Sequence, residues 1–256
     1  LKNSVKYNQI EISIITINYN NLNGLRKTVE SVIQQSYKSF EYIVIDGNSN
    51  DGSKEYLLSL KKEFAYFISE TDSGIYNAMN KGLKQAKGQY LLFLNSGDCI
   101  AEKNSLEKIY PFLKPDVINY SDVYLNENGS LRLHNSLKPV TKQSYFKSYL
   151  HHQAIIYPNK LIIPYDESFN YASDWLLNYT LLTKKIPFHY FALPFIIYDT
   201  TGLTSKGETV NKTLKEKRRM KVLKFPFALW QQNGYSIKMF LIILKEYLQY
   251  KFTSPY

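Results

Sequence analysis

The sequence predicts an α/β fold, a single domain with a mostly parallel central sheet flanked by helices, followed by a basic helical C-terminal tail. Three observations carry this expectation. Short β-branched apolar runs alternate with segments of helical spacing through the first hundred residues. At 256 residues, 44% of them hydrophobic, the chain can build one sizeable core. Charge is unevenly placed: residues 205–256 hold nine Lys and two Arg against three Glu, most of the net +10.

The elements follow in order. Residues 11–18 (EISIITIN) read as a buried strand, and 22–35 as a helix with Leu25, Val29, Val32 and Ile33 inward. Residues 41–46 (EYIVID) are a second strand, 53–64 a helix, 66–69 a third strand, 75–86 a helix and 89–94 (QYLLFL) a fourth strand. After Asp98 the alternation breaks down. A helix is expected at 105–113, a strand at 116–124, a hairpin turn at 126–129 (NENG) and a short strand at 152–157. A helix at 174–183 and one or two strands in 188–198 complete the domain, and helical runs at 208–224 and 235–252 form the tail.

The only cysteine is Cys99, so no intramolecular disulfide forms, which fits a reducing, cytoplasmic setting. The first ten residues are polar, and no window reaches about 18 uninterrupted apolar residues, so neither a signal peptide nor a spanning helix is expected.

In open α/β sheets, ligands bind outside the carboxyl ends of the strands. Four polar clusters fall there, each directly after an apolar run: residues 16–20 (TINYN), 46–53 (DGNSNDGS), 70–74 (ETDSG) and 95–98 (NSGD). Together they outline a site lined by Asp46, Asp72 and Asp98. Asp46 ends a strand, where a carboxylate can accept hydrogen bonds from a base or ribose or else organise the DGNSNDGS turn, whereas Asp51 reads as a cap for the next helix. A hard divalent cation on a diphosphate needs few protein ligands, and Asp98 is placed to be one. Asp174 lies far along the chain and reads either as a base for a hydroxyl nucleophile or as a helix N-terminal carboxylate. In the His151-His152-Gln153 run, at most one imidazole is expected to line a pocket. Dinucleotide-binding, P-loop and Ser-His-Asp patterns are absent, which weakens dehydrogenase, P-loop and hydrolase readings.

These residues together resemble the family 2 glycosyltransferases of the GT-A fold. The segments ISIITINYN, IVIDGNSNDGS and DSGIYNAMNKGLKQAKGQYLLFLNSGD match that family's patterns in order and spacing over residues 11–100. The variant ending in FLNSGD, with HHQAIIYP, DESFNYASDW and TTGLTS farther on, looks most like the colanic acid (WcaE-like) branch.

The resemblance implies roles. Residues 10–100 become the nucleotide-sugar-binding half and 101–204 the acceptor-binding half, with 205–256 an extension. Asp46 would contact the base, Asp72 and Asn80 would border the donor pocket, and Thr16, Asn18, Asn20, Lys81 and Asn95 would complete the nucleotide-sugar-binding set. Asp98 would ligate a divalent cation, Mn²⁺ or Mg²⁺, and Asp174 would be the catalytic base. One departure stands out: the usual Asp-x-Asp-Asp is here Asn95-Ser96-Gly97-Asp98, so glycine occupies a position expected to touch ribose or metal. The implied activity is inverting transfer from a nucleotide-sugar, with UDP-sugars favoured, to a glycan or lipid-linked saccharide in surface polysaccharide or glycan assembly. The alternative is a sugar-nucleotide-binding protein impaired in catalysis. Nucleic acid is not an expected partner, since no recognisable motif accompanies the basic tail. That tail, with seven Lys or Arg between Lys212 and Lys224 and apolar residues at helical spacing beyond, suits peripheral contact with an anionic membrane.

Overall fold

The computed structural model describes residues 10–201, together with Lys212, Glu216, Leu241, Leu244 and Lys245 of the tail. Apart from those five positions, the two helical runs expected after residue 205 lie outside the described residues.

The first hundred residues fold as their periodicity predicts. β1 (Ile12–Asn18) is buried along its whole length, and β2 (Phe40–Asp46) nearly so. β3 (Tyr66–Ser69) and β4 (Tyr90–Phe93) join them in parallel, and Asn18 pairs with Asp46 at the carboxyl edge. Strands buried on both faces need a cover on each side. On one face, α1 (Leu22–Ile33), α2 (Ser53–Ser59) and α4 (Ser105–Ile109) send Leu25, Val29, Val32, Leu57, Leu106 and Ile109 against Ile12, Ile14, Val44 and Leu92. On the other face lies α3 (Ile75–Gln85). Its Gly82 sits so close to β1 that a Cβ there would lie 2.4 Å from Ile15 Cγ2. The helix expected at 53–64 ends at Ser59 and tightens into a 3₁₀ turn at Lys61–Glu63.

Beyond Asp98 the single strand expected at 116–124 divides in two. β6 (Ile118–Tyr120) joins the main sheet, and β7 (Val123–Glu127) forms a hairpin with β8 (Ser130–His134) across the anticipated NENG turn. The main sheet has the order β10-β6-β9-β4-β1-β2-β3, where β9 is Ile155–Pro158 and β10 is Phe188–Tyr190. Only β9 runs against the rest. A smaller sheet has the order β5-β11-β7-β8, with β5 at Cys99–Ile100 and β11 at Ile196–Asp199.

α5 (Lys142–Lys147) and α6 (Ser173–Thr183) pack together through aromatic rings. Trp175 stacks on Tyr179 and Tyr145 at centroid distances of 5.0 and 5.8 Å, and its indole N–H donates to the Ser148 carbonyl at 2.9 Å. This anchoring matters because Asp174 stands beside Trp175 in the first turn of α6.

The chain divides into two compact units, Leu1–Ser168 with Ser173–Gly202, and Phe169–Ala172 with Leu203–Tyr256. Within the second, the Glu216 carboxylate accepts the backbone N–H of Asn170 at 2.7 Å and that of Tyr171. Among the described residues no helix is long and apolar enough to cross a membrane.

Candidate active site

Two adjacent strand ends build the first part of the site. Asp46 is fully buried, and its oxygens accept from Asn18 Nδ2 (2.7 Å), Ser49 N–H and Oγ (3.0 and 2.6 Å) and Ser69 Oγ (2.7 Å). Four donors offset the cost of burying this charge. Its carboxylate is therefore spent on shaping the 46–53 loop. Asn20, at φ 48°, donates its N–H to Ser49 Oγ and accepts from the Asn50 N–H, which joins the first two clusters. Asp51 caps as expected, though doubly: Oδ1 accepts from Ser53 N–H and Oδ2 from Leu22 N–H, tying the starts of α2 and α1 together.

Gly47 opens the floor between these clusters. A Cβ there would lie 2.7 Å from Asp72 Oδ2 and 3.1 Å from the ring of Tyr19, which is 69% exposed. Asp72 thus reaches over the first two loops, while its Oδ1 accepts the Gly74 N–H at 2.9 Å. Lys81 pairs with Glu70 at 2.7 Å and donates to the Thr71 carbonyl, bracing the loop that carries Asp72.

Two expected site residues do not reach the edge. Thr16 is two residues short of the end of β1, on the face packed by Tyr42, whose hydroxyl donates to Thr16 Oγ1 at 3.0 Å in a buried contact. Asn80 is also buried: it exchanges hydrogen bonds with the backbone of Tyr165 and donates to Glu167 at 2.7 Å, clamping that segment to α3. Both sites need a satisfied polar side chain in a packed interior, which is a structural duty.

The 95–98 loop forms the other side. The Thr28 hydroxyl accepts the Gly97 N–H at 2.9 Å and lies 2.8 Å from the Asp98 carbonyl it donates to, fixing the loop on α1. Asp98 is buried; Oδ1 accepts the Asp199 N–H and Oδ2 the Gln153 amide, both at 2.9 Å. Burial outweighs these donors and pushes its carboxyl up to about 7. Asn95 Oδ1 is a buried acceptor with no hydrogen-bond partner among the described residues.

α6 brings Asp174 to this loop. Its Oδ1 accepts the Tyr76 hydroxyl at 3.0 Å, and its Oδ2 lies 3.6 Å from His152 Nδ1. The other His152 nitrogen, Nε2, is 3.3 Å from the Asn95 amide nitrogen. Desolvation pulls His152 below its ordinary range, which keeps the imidazole neutral at pH 7. With the proton on Nδ1, the ring would accept from the Asn95 amide at Nε2 and face Asp174 with its N–H. His151 turns elsewhere, against His134 and Tyr198. The two imidazoles part as anticipated, but from a 3₁₀ turn at His152–Ala154 rather than from a strand.

Tyr76, His152, Gln153 and Asp199 were not singled out as site residues by the sequence. His152 and Gln153 had a signal in the HHQ run. Tyr76 and Asp199 had none, since an isolated polar residue on a helix or strand carries no mark of its distant neighbour. Among the described residues no three His, Cys, Asp or Glu side chains gather as a metal cage.

A mostly parallel sheet with its polar loops collected along one carboxyl edge, and a helix bringing a carboxylate to them, defines an α/β enzyme of the GT-A-like class. Residues 13–167 match glycosyl transferase family 2, and the chain belongs to that family; it is a glycosyltransferase. It is similar to the uncharacterized glycosyltransferase Rv1514c of Mycobacterium tuberculosis, with 32% identity covering 85% of this chain and 86% of that one. It is also similar to a PGL/p-HBAD biosynthesis glycosyltransferase of Mycobacterium bovis, with 30% identity covering 65% and 67%. Its fold is like that of S. aureus TarS 1–349 in complex with UDP, at TM-score 0.63 and 19% identity over 95% of this chain and 72% of that one. A mannosyltransferase of Pyrobaculum calidifontis in complex with GDP-Man and Mn²⁺ has TM-score 0.60 at 13% identity, over 93% of this chain and 69% of that one.

Proposed function

We propose that this glycosyltransferase is an inverting enzyme that moves a sugar from a nucleotide-sugar, a UDP-sugar in first place, to a hydroxyl of a glycan or lipid-linked saccharide. The observation that carries the reading is Asp174. The chain brings this carboxylate from 76 positions beyond Asp98 to the far side of the same loop and leaves it accessible, held by Tyr76 and beside His152.

In this reading the nucleoside lies on the shelf made by Asn18, Asn20 and the 46–53 loop, with the exposed Tyr19 ring beside it. Asp46 acts by holding that shelf, and Asp72 with Lys81 borders the donor's path toward the 95–98 loop. Asp174 takes the proton of the acceptor hydroxyl as its oxygen attacks the anomeric carbon from the face opposite the leaving diphosphate. Tyr76 and His152 hold Asp174 in place.

One feature of the 95–98 loop suits a divalent cation, Mn²⁺ or Mg²⁺: Asn95 Oδ1 is a hard, buried acceptor with no hydrogen-bond partner among the described residues. Bound at the loop that Asp98 anchors, such an ion would supply positive charge to stabilise the departing nucleoside diphosphate.

The lipid-linked acceptor draws support from the mycobacterial relative named for PGL/p-HBAD biosynthesis, and the likeness of the FLNSGD variant to the colanic acid type branch supports a role in surface polysaccharide assembly. We assign residues 1–204 to the catalytic domain and 205–256 to an extension that meets the cytoplasmic membrane face. The test is nucleoside diphosphate release and sugar transfer from UDP- and GDP-sugars with Mn²⁺, with the product anomer read by NMR. A product that retains the donor's anomeric configuration would rule out direct displacement.

A further inference from the structure

The 95–98 loop presents a puzzle for a metal-using enzyme. Its one carboxylate, Asp98, is 4% exposed, and both of its oxygens already accept hydrogen bonds from the protein. A cation bridging a diphosphate needs a carboxylate oxygen it can reach.

The structure places one there from another part of the chain. Gly97 has φ +112°, and a Cβ built on it would lie 2.8 Å from Asp199 Oδ2 and 3.3 Å from Asp199 Cβ. The Asp199 carboxylate thus fills the space that a side chain at position 97 would occupy. Sheet register brings it there. β11 pairs antiparallel with β5, Ile196 opposite Ile100 and Ile197 opposite Cys99, and the same register continued sets Asp199 opposite Gly97. Its backbone is locked, since the Asp199 N–H donates to Asp98 Oδ1 at 2.9 Å. Its side chain is oriented, since Oδ1 accepts the N–H and hydroxyl of Thr201 at 2.8 and 2.7 Å, which leaves Oδ2 directed at Gly97. Asp199 is only half-buried.

We propose that Asp199 is the metal-ligating carboxylate of this enzyme, standing in for the acid that Gly97 lacks, and that Asp98 acts behind it by fixing its backbone. The proposal rests on the family reading of a metal-assisted transfer. It moves the ligand from the 95–98 loop to the end of β11, about a hundred residues later. Glycine at 97 then has a reason: any side chain there would collide with the substitute carboxylate.

The test is Mn²⁺ binding followed by electron paramagnetic resonance, with and without UDP or GDP, alongside calorimetry of the nucleotide in chelator. Asp199→Asn keeps an acceptor for Thr201 and should bind Mn²⁺ about 100-fold or more weakly, beyond the roughly 10- to 100-fold that loss of an outer partner costs. Asp199→Glu, which keeps the carboxylate, should recover most of the affinity. If Asp199→Asn does not fold, by circular dichroism and melting, Asp199→Ser and Asp199→Glu carry the same comparison. Wild-type affinity in Asp199→Asn overturns the proposal and leaves the transferase reading standing, as does a loss in Asp98→Asn larger than that in Asp199→Asn. Failure of the wild-type protein to bind either nucleotide, with or without Mn²⁺, would strike at the donor reading itself.

Discussion

Asp98→Asn isolates the cost of a buried charge. Burial raises the Asp98 carboxyl from 3.8 to about 7, so between those values the folded protein holds this proton more tightly than the unfolded chain does. A raised pKa gives a stabilising contribution that is full below about pH 4 and lost as pH rises through about 7. At 1.36 kcal/mol per pKa unit, the gap is worth about 4 kcal/mol. Asparagine preserves the contacts: its Oδ1 accepts the Asp199 N–H, and its amide meets Gln153 once that side chain turns over to present its oxygen. Titrating groups remote from position 98 are common to both proteins and cancel in the difference. Urea denaturation in chelator from pH 4 to 8 should therefore show wild-type stability falling relative to Asp98→Asn by about 4 kcal/mol, at up to about 1.4 kcal/mol per pH unit, and levelling off above pH 7. A difference that stays flat across that range would refute the reasoning, because Asp98 would then titrate alike in the folded and unfolded states.

Other expectations are equally direct. Asp174→Asn should leave donor affinity unchanged and lower kcat by about 100- to 10,000-fold, the contribution of a placed base; transfer near the wild-type rate would put the base elsewhere, with Glu167 and Asp166 next to test. Gly82→Ala places a Cβ 2.4 Å from Ile15 Cγ2 and should cost about 1–3 kcal/mol by overpacking α3 on β1, read as a lower urea midpoint at constant slope. The seven Lys and Arg between Lys212 and Lys224, each worth about 1 kcal/mol near an anionic surface, should make the whole chain co-sediment with anionic but not neutral vesicles. A chain ending near Ser205 should not do so, and equal partitioning of the two would remove the tail from membrane binding.

The sequence by itself determined the fold of the first hundred residues. β1 to β4 and the helices between them follow from local periodicity, and the polar clusters announce the carboxyl edge because each directly follows an apolar run. Asn18, Asn20, Asp72 and Asn95 stand along that edge as their positions predict. Tertiary structure decided everything that depends on long-range pairing. The apolar stretch after Asp116 reads as one strand, yet it divides between two sheets because Ile118–Tyr120 finds β9 and β10 while Val123–Glu127 finds β8 and β11. Thr16 and Asn80 turn inward because strand alternation and the Tyr165 backbone claim them. Asp98, read as an open carboxylate, is closed by Gln153 and Asp199, partners 55 and 101 residues away. No local pattern encodes such partners, since hydrogen bonds and sheet register join residues by distance in space, and that distance is fixed only when the sheets close around the core.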